Sequence, residues 1–528
     1  PRPQVTAVID YTETYKDAAD LTEEQLLDIR RSIKMSNGTV ALLPTALCRN
    51  EDVQYLYNRQ VNVWAKASDD PSVTEQYHAL LSGAIGVVSD ATDALLDIAC
   101  NKLAKATMTR ATLNIGHRGI PANAPENTVE GSLFAFEQGA NVIELDVYLT
   151  TDGEVVVMHD GTTGRTCNKD LNVEASTLAQ LKELYVNKGY ENNSKYKNCR
   201  IPTLNEYLEA FKDKDCQLFI EIKSGKPAIV KAVKACVDAY DMYDQCSVIT
   251  FNEGIMAAMR KDYPEMSVGA LCSGYMNGLD PEEDFRSAMT FIGKYNATLN
   301  PSAGGYEAND LRAALQRGIS IYPWTFRGNL DTYKSYFMWG FSGLTGDNAN
   351  VFRRIVRNVY NPVSSATVEV GAEVALDLSV TTYGHDTSAE AYKSIIFLAG
   401  EDIAEVKDGK LTVKGEGEIT YVLTYEGKVS GAVVTYYTQP VTLSTKTATP
   451  DEETDTNEPE GGDTTEAPTD PTETPADSTP DTNKPTEGGD TTADSETEAP
   501  KGGCKSALGG MALLLVAGAA LVLGKKKD

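Results

Sequence analysis

Between residues 112 and 360, short apolar runs alternate with longer stretches of mixed character. "TLNIG", "NVIELDVYL", "EVVVMH", "CQLFIEI", "CSVITF", "MSVGALC", "NATLN" and "ISIYPWTF" read as strands, and helical stretches separate most of them. Alternation on this scale predicts an α/β domain, a (β/α)8 TIM-like barrel over residues 111–360. One connection departs from that plan. Only "TTDG" separates "ELDVYL" from "EVVVMHD", which predicts a hairpin in place of a crossover helix. With "SGLTGD" at 342–347, nine candidate strands compete for eight places, so a strictly regular barrel is not expected.

The pattern changes on either side of this domain. Residues 361–446 alternate apolar and polar positions in runs such as "ATVEVGAEVALDLSV", "EITYVLTY" and "GAVVTYYT", broken by Gly and Asp turns, which predicts a small β-sandwich. Residues 447–503 are rich in Thr, Pro, Glu, Asp and Gly, repeat "EGGDTT", and have nothing with which to build a core; a disordered stalk is expected. Residues 504–528 hold the uncharged run "ALGGMALLLVAGAALVLG" followed by "KKKD", the pattern of a single transmembrane helix with its basic end in the cytoplasm. An anchor of this kind places the bulk of the chain on the extracellular face of the plasma membrane, and an export signal is then expected ahead of Pro1.

At the front, residues 38–90 repeat the layout of residues 295–347: strand, Pro, helix, strand with Trp, polar loop, helix, Gly, apolar pair, Asp. Trp64 falls on Trp324, Gly86 on Gly343, and Asp90 on Asp347. Residues 1–110 therefore read as the C-terminal half of an earlier barrel repeat, a partial barrel that needs its other half or a partner to cover exposed apolar surface and strand edges.

Charge narrows the function. The formal net charge is −28, and residues 451–500 carry 17 Asp and Glu against the single Lys484. Such a chain is poorly suited to neutralising phosphates along a nucleic acid, so no nucleic-acid partner is expected. Membrane contact is expected through the C-terminal helix only. The nine cysteines show no CxxC pair and no zinc-ligand spacing.

Four stretches carry candidate chemistry. In "NVIELDVYL", Glu144 and Asp146 share one strand face, opposite Ile143, Leu145 and Val147. "QLFIEIKSG" places Glu221 and Lys223 opposite Leu218, Ile220 and Ile222 in the same way. A barrel strand's outer face is covered by helices, so these charges are expected inside, at the C-terminal mouth. Three convergent carboxylates need a cation, and an all-oxygen set suits Ca2+ or Mg2+. The chain has only four histidines, and two of them, His117 and His159, end apolar strands here. Paired imidazoles can exchange protons at neutral pH, while Arg118 and Lys223 can hold a phosphate.

The ordered set "GHRG…PENT…ELDV…VVVMHD…IPTLNEYL…IEIK…WTF" resembles the glycerophosphodiester phosphodiesterase family, across essentially all of residues 112–350. The resemblance implies a barrel that hydrolyses glycerophosphodiesters to sn-glycerol 3-phosphate and an alcohol with Ca2+ or Mg2+. It implies His117 and His159 as acid and base, Glu144, Asp146 and Glu221 as metal ligands, Arg118 and Lys223 as phosphate contacts, and Trp324 lining the cleft. Glu126 of "PENT" is expected near the metal, with Asn127 or Thr128 as a possible helix cap. Two places depart from the family pattern: Gly346-Asp347 where Thr-Asp is usual, and the loop "HDGTTGRTCN". Both bear on substrate choice, which extends to teichoic-acid-like polymers. Residues 361–446 resemble the immunoglobulin-like modules of bacterial cell-surface proteins. The alternatives are a phosphatidylinositol-type phospholipase C and a catalytically inactive barrel displayed as a binding or adhesion module.

Overall fold

The computed structural model describes residues 7–273, 281–303, 308–328, 330–446 and 520–522. The front of the chain forms four strands, β1 (Ala7–Asp10), β2 (Gly38–Pro44), β3 (Asn62–Lys66) and β4 (Gly86–Val88), all parallel and in chain order. Ala41, Leu43, Val63, Ala65 and Val87 alternate along them and bury one face against Leu26, Ile29 and Ile33 of helix Glu23–Met35 and Val53 and Leu56 of helix Asn50–Asn58. The opposite face keeps Leu42 and Trp64 only half-buried. The first helix starts at Thr22, whose hydroxyl accepts from Gln25 N while Gln25 caps Thr22 N in return. A two-residue strand, β5 (Thr107–Met108), then pairs with Ala432–Tyr437 near the other end of the chain.

The barrel follows. β6 (Leu113–Gly116), β7 (Val142–Leu149), β9 (Gln217–Ile222), β10 (Cys246–Thr250), β11 (Ser267–Cys272), β12 (Ala297–Pro301) and β13 (Gly343–Gly346) are joined by parallel pairings, with β13 returning to β6. The ninth candidate strand, β8 (Val155–Val157), is the hairpin partner of β7, antiparallel across the "TTDG" turn, where Gly153 takes a φ of 86°. The eighth position is filled by residues 320–326, which bridge Leu299 of β12 at Ile321, Ser302 just past β12 at Trp324, and Gly346 of β13 at Phe326. Pro323 has no N–H to give the ladder, and the segment pairs through single bridges.

Strand periodicity sorts the barrel into two layers. Ile143, Leu145, Val147, Leu218, Ile220 and Ile222 face the surrounding helices. Leu113, Ile115, Val142, Phe219, Ile249, Leu271 and Tyr322 fill the interior. Glu144, Asp146 and Glu221 continue the inner face one and two steps further along β7 and β9, above this apolar floor.

Beyond the barrel, strands from Val356–Tyr360 to Val441–Lys446 form largely antiparallel sheets centred on the long strand Gly417–Val429. Val422 from that strand joins the core of the front sheet, and Gln439 exchanges hydrogen bonds with Cys48 O and Asn50 N. Neighbouring parts of the chain thus pack against the front sheet. Among the described residues no helix is long and apolar enough to cross a membrane. Of the expected span 504–528 only Ala520–Val522 is described, as a strand parallel to β4. The expected stalk, 447–503, lies outside the described residues.

Two buried cations sit where the front sheet meets the barrel. Arg30 donates to Tyr243 O at 2.8 Å and Cys246 O at 3.0 Å, and lies 4.1 Å from the Tyr243 ring. Lys34, one helical turn on, donates to Gln60 O at 2.7 Å and has no carboxylate partner among the described residues. Burial, with help from Arg30 and Arg260, pushes its ammonium down to about 7. Below that pH the native state carries a desolvated charge. As pH rises toward the unfolded value, the native state releases a proton that the unfolded chain keeps, so stability rises across this window. Lys34→Met is expected to raise the thermal midpoint at pH 6.5 and to have little effect at pH 9.5, flattening the rise seen in the parent protein. Thermal unfolding at the two pH values measures this. An equal gain at both would show that the charge is not responsible.

Candidate functional site

The site is built on the ends of β6, β7, β8 and β9. Gly116 must be small there, because a Cβ would lie 2.4 Å from Gly119 O. The chain then turns through Arg118, a non-glycine residue at φ 50°, and Gly119 at φ 88°. This backbone points Arg118 N at Glu144 Oε2, 2.8 Å away, and Arg118 O accepts from Asn127 N at 3.0 Å. Asn127, itself at φ 53°, donates from Nδ2 to Asp146 Oδ2 at 2.8 Å, and its own Oδ1 accepts from Asp146 N. Two left-handed residues in one loop mark stored strain at a working site. Thr128 is the helix cap, accepting from Gly131 N.

Glu144, Asp146 and Glu221 are each less than 10% exposed, and they offer oxygens within 4.8 Å of one another. Glu144 Oε1 and Asp146 Oδ1 are buried without a hydrogen-bond partner. Burial, then the charges of Asp146 and Glu221, holds the Glu144 carboxyl well above its usual range. Asp146 is raised by burial and Glu221, against His159, Arg118 and Lys223. Orphaned acceptors on converging carboxylates are what a hard divalent cation satisfies, so the donor set fits such an ion. Lys223 Nζ, 2.8 Å from Glu221 Oε1 and 3.8 Å from Asp146 Oδ1, meets only part of this demand.

Both expected imidazoles flank the cluster, and each rests on a carboxylate. His117 Nδ1 lies 2.6 Å from Asp347 Oδ1, and His159 Nδ1 lies 2.6 Å from Asp160 Oδ1. Lys223 Nζ is 3.3 Å from His159 Nε2. An ammonium can only donate, so this contact and the Asp160 bond together fix the tautomer with its proton on Nδ1. Burial lowers both imidazoles below their ordinary value, against the pull of Asp347 on His117 and chiefly of Asp146 on His159. Arg118 reaches Glu126 Oε1 at 3.1 Å and Asp146 Oδ2 at 3.4 Å. Trp324 stands at the mouth, its indole N–H donating to Asn300 O and its ring edge-on to the exposed Phe251 at 5.4 Å.

The structure thus gathers every residue singled out from the sequence: His117, His159, Arg118, Lys223, Glu144, Asp146 and Glu221 at the centre and Trp324 at the rim. Glu126 pairs with Arg118 and Arg165, Asn127 bonds to Asp146 and Asp347 to His117, and the structure adds Asp160, Phe251, Arg327 and Arg165. Asp347 directly follows the end of β13 and Asp160 directly follows His159, signals readable in sequence. Arg165 lies in the loop "HDGTTGRTCN" and has no local mark.

Residues 117–351 match the model of the Glycerophosphoryl diester phosphodiesterase family. A glycerophosphodiester phosphodiesterase of Caldanaerobacter subterraneus subsp. tengcongensis is 32% identical over 47% of this chain and 98% of its own length. One from Bacillus subtilis is 24% identical over 46% of this chain and 86% of its own length. Among solved structures, an Oleispira antarctica phosphodiesterase in complex with sn-glycerol-3-phosphate aligns with 45% of this chain and 93% of its own at 22% identity, with a TM-score of 0.39. The chain belongs to the glycerophosphodiester phosphodiesterase family.

Glu144→Gln is expected to weaken Ca2+ or Mg2+ binding by about tenfold or more without unfolding the barrel. Isothermal titration of the parent and the variant measures it, and equal affinity in both would exclude Glu144 from the metal site.

Proposed function

We propose that this member of the glycerophosphodiester phosphodiesterase family hydrolyses glycerophosphodiesters to sn-glycerol 3-phosphate and an alcohol. The observation that carries this reading is the convergence of three buried carboxylates, two of them with an oxygen that has no hydrogen-bond partner, beside two carboxylate-backed imidazoles. Glu144, Asp146 and Glu221 would hold the ion. When bound, a hard dication supplies positive charge to the phosphodiester and to developing oxyanions.

The protein's own groups do the rest. Asp347 and Asp160 hold Nδ1 of each ring, leaving Nε2 to take or give a proton. Burial lowers both rings below the ordinary imidazole value and favours their neutral form, from which either can begin as a base. Their placement on opposite loops, after β6 and after β8, suits one to the nucleophile and the other to the departing alcohol. Arg118 and Lys223 face the same space and oppose the negative charge of the phosphate. Trp324 and Phe251 form an aromatic rim against which the alcohol moiety can pack.

The remainder of the chain supports a location outside the cell. In this reading residues 1–110 are a partial barrel repeat, 361–446 an immunoglobulin-like module, and 447–528 a stalk and membrane anchor. The support is the acidic, Thr- and Pro-rich composition followed by the apolar run and "KKKD".

With sn-glycero-3-phosphocholine as substrate, His117→Ala and His159→Ala are each expected to lower kcat by about 100-fold or more. A chelator should abolish turnover and added Ca2+ or Mg2+ should restore it. Release of glycerol 3-phosphate, read by a coupled assay, is the measurement, and full activity in either variant would remove that imidazole from the reaction.

A further inference from the structure

Arg165 has no place in the reaction as described, yet it touches both halves of the machinery. Its Nη1 and Nη2 donate to Glu126 Oε2 at 2.7 Å and Oε1 at 2.6 Å, and its Nε donates to Asp160 Oδ2 at 2.6 Å. Each of these carboxylates has a second partner. Asp160 Oδ1 holds His159 Nδ1, and Glu126 Oε1 accepts from Arg118 Nη1. One guanidinium therefore spans the loop that carries His159 and the loop that packs on Arg118.

The geometry needs this particular side chain. A planar guanidinium can meet one carboxylate with two parallel bonds and still present Nε to another, whereas an ammonium is a point charge without fixed directions. Asp160 is about one-third exposed, and without Arg165 it is free to turn to water and release the His159 ring. Glu126 is largely buried; burial alone would raise its carboxyl, and the bonds from Arg165 with the charge of Arg118 outweigh this and lower it. Without Arg165 its remaining ion pair is Arg118, which would be drawn away from Asp146. The other imidazole has a looser counterpart. Arg327 meets Asp347 Oδ2 through Nε alone, at 3.1 Å, and connects to nothing in the phosphate anchor among the described contacts.

We propose that Arg165 is a positioning residue that fixes His159, through Asp160, in register with Arg118, through Glu126. The inference rests on the reading that these two groups act on one phosphodiester. Its two arms predict separable effects: loss of the Asp160 arm lowers kcat, and loss of the Glu126 arm raises KM.

The test uses the full chain with saturating Ca2+ and sn-glycero-3-phosphocholine. Arg165→Gln is expected to lower kcat by about 10- to 100-fold and to raise KM several-fold. Arg165→Lys should recover part of the KM and little of the kcat, since charge returns without the fork. In a His159→Ala background, Arg165→Gln should lower kcat by less than about twofold, because the group it positions is gone. A full, additive loss in that background would overturn the proposal. A second readout does not depend on turnover. With four histidines in the chain, 15N-labelled imidazole signals can be assigned by His159→Ala. The parent should show His159 with its proton on Nδ1, and Arg165→Gln should show exchange between tautomers. An unchanged His159 signal would sink the proposal, whereas a parent protein that releases no glycerol 3-phosphate would sink only the hydrolase reading.

Discussion

Three carboxylates held in the dry mouth of a barrel are the constraint around which the site is arranged. At 4 to 5 Å, two like charges repel by roughly 3 to 4 kcal/mol at an effective dielectric near 20, and Glu144, Asp146 and Glu221 form three such pairs. Strand geometry leaves no escape, since β7 and β9 are adjacent and register Asp146 directly against Glu221. Around them, the ion-paired groups are the further carboxylates Glu126, Asp160 and Asp347 and the cations Arg118, Lys223, Arg165 and Arg327. Six acids face four bases, and burial lowers both imidazoles below their ordinary value. The excess of acid over base is what a hard dication offsets.

The surrounding hydrogen bonds show how that excess is kept available. Glu144 gives one oxygen to Arg118 N, and Asp146 gives one to Asn127. Each keeps its other oxygen free. The left-handed turns at Arg118 and Asn127 make this division possible, because a main-chain N–H and a carboxamide occupy one lone pair without neutralising the charge. A guanidinium bonded to both oxygens of Glu144 would have balanced the charge and closed the site. The strained loop therefore orients the carboxylates and leaves the cation binding to be done.

Much of this is visible in one dimension. The alternation in "NVIELDVYL" and "QLFIEIKSG" fixes which side chains share a face, and the faces turn out as the alternation requires, apolar residues outward and acids inward. The hairpin after β7 follows from four turn residues. What the pattern could not settle was long-range. "ISIYPWTF" looks like any apolar strand, but Pro323 reduces it to a series of bridges, visible only when β12 and β13 stand on either side. Arg165 is 39 residues from Glu126, and nothing local connects them. The apolar run near the C-terminus satisfies the composition of a spanning helix, and of its residues only Ala520–Val522, paired with β4, is described.

The placement of the added domains completes the argument. Arg30 bonds to Tyr243 and Cys246 at the start of β10, Asn62 to Gly318 and Ser320 at the start of the bridged strand, and Gln54 to Ala111 just ahead of β6. From the other side, Arg357 meets Asp215 ahead of β9. All of these contacts fall at the N-terminal ends of the barrel strands, the end opposite the carboxylates. In a (β/α)8 fold that end serves stability and the other serves chemistry. The front sheet and the C-terminal sheets could therefore be added without altering the cleft. Arg30, bonded to Tyr243 O and Cys246 O, ties the front helix to the floor of the barrel while the mouth stays open to substrate.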